Sequence, residues 1–467
     1  MTSSRKTLPS EMAALSAILL VAAVFRFWQI DKYPRALHFD EAINGLVAQD
    51  LLRGQLPELL TYDRAREPMI FYVMAPAVFI FGPTPGALRV ATASVSLAVV
   101  AGAWALAREL FGRRIGLLAA LICATTVWSI YHGRLATRSI LVPLVLSLAL
   151  YASARAWRAR KLWQWTIAGV LLGAVFYTYA SNLFVIPAML LTAAALVVFD
   201  RRAFLERKRE ILWAAILFIG VGVPIFVFRD AHPPSGPGRP GILTVFYPGQ
   251  SPADFVKTVI TQTVLVARMF FLNGDFEIRH NIPYRPAFDW VMAVPFVVGL
   301  LSAWTPKRRA AAGLFALWVA VWLLPTFLAK DAPHFLRSSG VLAFLFAWPA
   351  MGLMRIQKVI AARGGRWAGL LIGAALMGGS ILITTRDFIF SNFLASPEVT
   401  EAFFGNDVAP ILEFNRQHHT GWAGDNLFAL PAPADPSAFD RAQIESLPQP
   451  YAQYLIPWAF DRSLRQY

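Results

Sequence analysis

The chain has 467 residues, of which 57% are hydrophobic and only 15% charged, against roughly 25% charged in a soluble globular domain. That composition excludes a disordered chain, and a single cysteine, Cys123, excludes a disulfide framework. A net charge of +15 would suit a nucleic-acid binder, but a mean hydropathy of +0.52 reads instead as an all-α polytopic membrane protein.

A membrane-crossing helix needs about 20 mostly apolar residues. Eleven segments qualify: 12–30, 88–107, 115–131, 139–154, 163–180, 182–199, 211–228, 288–304, 310–329, 335–354 and 367–384. The first runs on to Phe27-Trp28 with no small-residue cleavage site, so it reads as a retained helix and not a signal peptide. Residues 68–82 are apolar but short, with Pro68, Pro76, Pro83 and Pro85 interrupting or flanking them. If they lie at the interface, the basic clusters at Arg113-Arg114, Arg155 to Lys161, Arg201 to Arg209, Lys307 to Arg309 and Arg355 to Arg366 share one side with Arg5 and Lys6. A twelfth crossing would separate the clusters from that N-terminal pair, against the positive-inside rule. Eleven crossings put 21 Lys and Arg with 5 Asp and Glu inside, a net of +16, and 22 with 23 outside, a net of −1. The N-terminus is then cytoplasmic and the C-terminus extracytoplasmic, in a plasma membrane of bacterial type. All seven histidines fall outside. The basic excess reports orientation, and no nucleic-acid partner is needed.

Residues 1–384 form the transmembrane unit, with outer loops 31–87 and 229–287, and residues 385–467 an extracytoplasmic tail or small cap. In the first loop, Phe39, Ile43, Leu46, Val47 and Leu51 recur at helical spacing. This predicts an amphipathic helix along the membrane surface, with Asp40 and Glu41 in its first turn. A carboxylate there can take a proton from an incoming hydroxyl or amine, although aspartate at a helix start also serves simply as a cap. Residues 68–82 make a second interfacial piece, and 253–272, with Lys257 and Arg268, a third. Arg66 precedes the second piece, and Arg134 and Arg138 lie in the turn at His132 to Ser139. Tyr177 and Tyr179 sit at the turn between the fifth and sixth crossings, as sugar contacts or as interface anchors. Arg279 and His280 close the large loop, and His334 and Arg337 flank the entry to the tenth crossing. Guanidinium groups bind phosphate bidentately, while single arginines at helix ends also snorkel. Four outer segments each offering arginine, two of them with histidine, point to a shared anionic site. No nucleotide-binding loop and no metal-ligand spacing is present, so the sequence indicates no cofactor, and a divalent metal is compatible with it but not supported by it.

These residues also carry a resemblance. His38-Phe39-Asp40-Glu41, Arg66-Glu67-Pro68-Met69-Ile70-Phe71-Tyr72, Gly133-Arg134-Leu135-Ala136-Thr137-Arg138, Tyr177-Thr178-Tyr179, Arg279-His280-Asn281-Ile282-Pro283 and His334-Phe335-Leu336-Arg337 resemble the GT-C superfamily of integral-membrane glycosyltransferases. The similarity is greatest to its protein O-mannosyltransferase and aminoarabinose transferase branch. Aminoarabinose transferases have lysine where this chain has Glu67, and several relatives have aspartate where it has Ser139. The resemblance implies a GT-C-like bundle with interfacial helices in the first outer loop and the active site at the outer face. It implies Asp40 as general base with Glu41 in support, and His38 and Asn44 beside the sugar or acceptor.

Together these readings predict inverting transfer of a sugar from a polyprenyl-phosphate-linked donor to a lipid, glycan or protein acceptor, among membrane lipids. Arg66, Arg138, Arg279, His280, His334 and Arg337 would hold the donor phosphate. A lipid or polysaccharide transporter is the alternative, as is a lipid-binding structural partner with a decayed site. A transporter is expected to carry inverted repeats and a polar path across the midplane, and neither is visible in the sequence.

Overall fold

A computed structural model of the chain describes residues 3–34, 37–54, 67–231, 244–391 and 393–404. Arg66 and residues 405–467 of the tail therefore lie outside the described residues. Among those described there is no strand, only a single antiparallel bridge between Thr244 and Ala329.

Helix α1 is Ser3–Phe27, α2 Phe39–Leu52, α3 Met69–Phe81, α4 Pro85–Phe111, α5 Arg113–Thr125 and α6 Val127–Arg134. They are followed by α7 Leu141–Ala159, α8 Leu162–Ala174, α9 Val185–Phe199, α10 Arg201–Glu206 and α11 Lys208–Ala231. The series ends with α12 Pro252–Arg268, α13 Trp290–Ser302, α14 Arg309–Phe327, α15 Ala347–Thr385 and α16 Pro397–Phe404. All the predicted crossings but the tenth fall largely on apolar helices, and these differ in length. Seven stretches are long and apolar enough on their own, and the bent pair α5–α6 makes an eighth. Leu162–Tyr177 and Trp290–Ser302 are shorter. The tenth and eleventh predicted crossings run together as α15, divided where Gly365 takes φ +81°. Residues 335–346 of the tenth are turn and 3-10 helix, not α-helix. Leu190, Phe199, Leu212, Ile219, Leu301 and Leu371 stand exposed, as expected of helices whose outer surface meets lipid.

The loops gather at two ends. At one, the basic loops are joined by side chains: Arg108 to Glu11 at 2.6 Å, Arg113 to Ser10 at 2.8 Å, Arg158 to Glu109 at 2.9 Å and Arg160 to Glu206 at 3.0 Å. The other carries His38, His132, His280 and His334, and is called the histidine end below.

Two buried arginines explain how the bundle is broken and capped near that end. The third predicted crossing bends by 61° between α5 and α6. There Thr126 is extended, and the Thr125 and Thr126 hydroxyls bond back to the carbonyls of Leu121 and Ile122. A break in an apolar interior leaves carbonyls that water cannot reach. Arg26 reaches them from α1, donating to Ala124 O at 3.0 Å and Cys123 O at 3.4 Å, and to Ser129 and Ser96. Arg134 in turn donates to the carbonyls of Arg26 in the last turn of α1 and of Trp28 and Tyr33 beyond it. Arg134 is thereby removed from the groups available to a phosphate.

The apolar stripe of α2 was expected to meet lipid headgroups. It meets protein instead: Ile43, Val47 and Ala48 are buried, and α2 packs on α3, whose Ile70, Phe71 and Met74 are buried in turn. The reason is that α3 supplies a dry apolar partner of matching length, leaving its own Tyr72, Phe79 and Phe81 exposed on the far side. Elsewhere α13 and α15 approach so closely that a Cβ on Gly299 would strike the Trp348 carbonyl, and one on Gly352 the Pro295 carbonyl. Between α12, α13, α14 and the start of α15 lies a cavity of about 430 Å³, apolar except for Thr263, lined by Phe270, Phe296, Leu323, Phe327 and Trp348 among others.

Candidate active site

The centre of the site is the first turn of α2. His38 takes an extended conformation at the N-cap, and its Nδ1 accepts from the Asp40 N–H at 3.2 Å. The Glu41 carboxylate reaches back to accept from the His38 N–H at 3.1 Å. This reciprocal pair is a capping box with histidine in the usual Ser or Thr place. It sets two adjacent carboxylates in opposite surroundings. Glu41 points inward, 1% exposed, where it also accepts from the Ala136 N–H at 2.8 Å and pairs with the fully buried Arg89 at 3.4 Å. Arg89 donates onward to the Pro34 carbonyl at 2.5 Å. Asp40 keeps a side chain 38% exposed, 3.8 Å from the His38 ring.

Asn44 was expected beside the substrate. It is buried one turn on and donates to the Ala136 carbonyl at 2.9 Å, so Glu41 and Asn44 together clamp the peptide of Ala136 to α2. The partner on that side of α2 is the 135–137 segment and not a substrate. Tyr177 is likewise turned away. Its hydroxyl donates to the Val221 carbonyl of α11 at 2.7 Å, because it ends a 3-10 turn that leans on that helix, whereas Tyr179 follows in extended conformation.

Around Asp40 stand two charged flanks. On the first, Arg279 forms a fork with Glu277, both bonds 2.9 Å, and a further contact of 2.8 Å to His38 Nε2. The Arg279 guanidinium also feels the charges of Asp40 and Asp275. Burial, with Arg279 adding to it and Asp40 opposing, holds the His38 imidazole below its usual range. Asp275, 1% exposed, accepts from the N–H groups of Glu277 at 2.8 Å and Phe335 at 2.7 Å. It thereby ties the loop before α13 to the loop after α14. His280 and His334 lie against it, their rings 4.6 Å apart. Burial, then His280 and Arg337, push the His334 imidazole well down. Arg337 pairs with Asp331 at 2.5 Å. On the second flank, the buried Glu67 joins Arg138 at 2.8 Å and Arg229 at 2.6 Å, and Arg138 lies over the Tyr179 ring at 5.8 Å. The two flanks face each other. Tyr179 is within electrostatic reach of Arg138 and Glu67 on one side and of Arg337 and Asp40 on the other.

The structure thus brings together His38, Asp40, Glu41, Arg138, Tyr179, Arg279, His280, His334 and Arg337. It adds Arg89, Arg229, Asp275, Glu277 and Asp331, which the sequence reading did not single out. Asp275 and Glu277 stand within five residues of Arg279-His280, and Arg229 near the end of a predicted crossing, so their neighbourhood was a signal. Arg89 had none, since an arginine at the start of an apolar run reads as a headgroup contact.

The fork has a consequence for pH. Its hydrogen bonds hold the Glu277 carboxyl down at about 2. A carboxyl depressed in the folded state stabilises it above the ordinary carboxylate range and loses that contribution as pH falls through the depressed value. The unfolding midpoints of the native chain and of Glu277→Gln, measured in detergent, are therefore expected to differ by a constant amount from pH 7 to about 5. They should converge between there and about pH 2. Convergence already at pH 6 would contradict the fork.

Residues 63–227 match the family model described as dolichyl-phosphate-mannose-protein mannosyltransferase. No curated protein sequence matches the chain. Solved structures share its fold at low identity. ArnT from Cupriavidus metallidurans, bound to undecaprenyl phosphate, is 14% identical with a TM-score of 0.52, over 85% of this chain and 80% of that one. The archaeal oligosaccharyltransferase AglB from Archaeoglobus fulgidus, in complex with an inhibitory peptide and a dolichol-phosphate, is 14% identical with a TM-score of 0.54, over 87% of this chain and 58% of that one. The apo form of the A. fulgidus oligosaccharyltransferase gives a TM-score of 0.56 at 14% identity, over 96% and 64%. The chain thus spans most of ArnT but under two thirds of the archaeal enzyme. The fold is that of the GT-C membrane glycosyltransferases, as the sequence motifs implied.

Proposed function

We propose that this chain, a membrane protein of GT-C fold, is a glycosyltransferase that moves a sugar from a polyprenyl-phosphate carrier to an acceptor at the histidine end. The observation that carries the reading is Asp40, a half-exposed carboxylate held at a helix start between two arginine-bearing flanks. The apolar cavity supports it. Phe327, in its wall, is one residue before Leu328, and Thr326 Oγ1 accepts the His334 N–H at 2.7 Å, so the cavity adjoins the loop that carries Asp331, His334 and Arg337. Apolar space beside cations suits a lipid phosphate, the class of molecule bound to ArnT and AglB in their solved structures. The basic end is placed in the cytoplasm, which puts the site on the extracytoplasmic side.

In this mechanism Asp40 takes the proton from the acceptor nucleophile as the nucleophile attacks the anomeric carbon from the face opposite the phosphate. The bond between carbon and phosphate oxygen breaks, its electron pair leaves with the phosphate, and the carbon is inverted. The departing phosphate gains negative charge, and Arg279, Arg337 and Arg138 with His280 and His334 are the groups that meet it. Removing one such donor typically costs about 10²–10³ in turnover. Glu41 acts as a positioning residue, holding the His38–Asp40 turn.

The test is reconstitution in vesicles with polyprenyl-phosphate-linked pentoses and hexoses, with products read by mass spectrometry. Transfer from a lipid-linked sugar and none from nucleotide sugars is the expected result. Movement of the labelled lipid across the bilayer without any covalent product would favour transport and overturn the reading.

A further inference from the structure

We propose that His38 is a further phosphate-binding residue, whose single ring proton moves from Nδ1 to Nε2 when a lipid phosphate takes the Nη1 arm of Arg279. Both ring nitrogens face a donor. Nδ1 lies 3.2 Å from the Asp40 backbone nitrogen, and Nε2 lies 2.8 Å from Arg279 Nη1. A guanidinium nitrogen and a backbone N–H only donate. An imidazolium would oppose both with N–H groups of its own, so the ring is uncharged, and an uncharged imidazole accepts at one nitrogen only. The two contacts therefore exclude each other and define two states of the ring. In the first, Nε2 accepts from Arg279 and the proton sits on Nδ1, 3.8 Å from Asp40 Oδ2. In the second, the proton sits on Nε2 and Nδ1 accepts the Asp40 N–H, which completes the capping box. Which nitrogen holds the proton is set by the bond the other one makes, and here that choice belongs to Arg279. Its Nε and Nη2 are held by Glu277, both at 2.9 Å, which leaves Nη1 as the arm to meet a ligand. At this point the inference rests on the proposed function. A donor phosphate that draws Nη1 takes the donor away from Nε2. One proton passes from Nδ1 to water and another from water to Nε2, with no net change, because the His38 side chain is 15% exposed. The Nε2–H then points where Nη1 stood and donates to the same phosphate. The turn presenting Asp40 is thus fully capped only when the donor is in place.

The ring proton is read without turnover, by nitrogen NMR of the full chain in vesicles with isotope-labelled histidine. The His38 signals are those absent from His38→Asn. With no lipid phosphate added the proton is expected on Nδ1. Undecaprenyl phosphate should move it to Nε2, undecaprenol should not, and Arg279→Met should move it with neither lipid present. A native ring that already carries the proton on Nε2, or an Arg279→Met ring that keeps it on Nδ1, overturns the proposal. So does undecaprenyl phosphate that is retained by the chain and leaves the proton in place. Undecaprenyl phosphate that is not retained at all overturns the proposed function instead, and the Arg279→Met comparison still decides where the proton lies. Kinetics separate binding from capping. Asparagine is as good a helix cap as serine or aspartate, so His38→Asn should unfold near the native midpoint, yet its kcat should fall about 10²–10³-fold, the range for loss of one such donor. A folded His38→Asn enzyme with native kcat would leave His38 a cap and nothing more.

Discussion

Replacing Asp40 by Asn is expected to lower transferase turnover by about 10²–10⁴-fold, the range that a positioned general base contributes. The substitution keeps the size and shape of the side chain and removes its ability to accept a full proton. Under the proposed mechanism donor affinity should hardly change, because that reading gives the lipid phosphate to the arginines and the chain tail to the apolar cavity. The loss therefore belongs in kcat, with KM for the lipid-linked sugar near that of the native enzyme. Stability should fall only slightly. A carboxylate in the first turn of an exposed helix end is worth about 0.3–1 kcal/mol, and Asp40 is 38% exposed. Glu41→Gln should differ in kind: its single acceptor oxygen cannot serve both the His38 and Ala136 N–H groups, so it should loosen the turn and lower thermal stability together with rate. A vesicle assay with a lipid-linked sugar separates the two. Near-native kcat in Asp40→Asn would remove Asp40 from the role of base.

The largest effect on stability is expected from Arg89→Met. Arg89 is fully buried and Glu41 1% exposed, so the substitution leaves a carboxylate in a dry interior with only two backbone N–H groups as partners. Removing one partner of such a pair typically costs about 3–5 kcal/mol. The Pro34 carbonyl also loses its donor. The midpoint of thermal unfolding in detergent should fall clearly, and the first loop should be the region that protease reaches first. The double variant Arg89→Met with Glu41→Leu is expected to recover a good part of the loss, since replacing a whole buried pair by apolar groups is often near neutral. It should not recover transfer, because the turn presenting Asp40 loses its reciprocal cap. An Arg89→Met protein as stable as the native chain would mean that the pair does not hold α2.

These two residues also show where reading the sequence stops. Asp40-Glu41 stand out as an acidic pair before a helical apolar pattern, and the histidines and arginines of the same end are gathered by alternating the crossings. Those inferences rest on properties local to the chain: hydropathy over a window, a period of 3.6, and the bias of Lys and Arg to one side. They place the apolar helices, the helix of residues 39–51 and the end of the bundle that gathers the histidines. They do not divide the work between the two carboxylates. That division follows from Arg89, 48 positions away from Glu41, and from the Ala136 peptide, and neither partner is marked as such in its own stretch of sequence. Arg26 and Arg134 make the same point, since their guanidinium groups serve carbonyls at a helix break and a helix end that only the folded bundle creates. Likewise Tyr177 and Tyr179, two residues apart in one motif, part because one leans on α11 and the other faces Arg138.

The sequence by itself therefore determined where the apolar helices run and which loops share an end of the bundle, because burial in lipid acts on each segment nearly independently. The tertiary structure decided which charged groups are structural partners and which are presented. In a dry interior the state of an ionisable group depends on the few atoms within hydrogen-bonding distance, and those come from parts of the chain far removed in sequence.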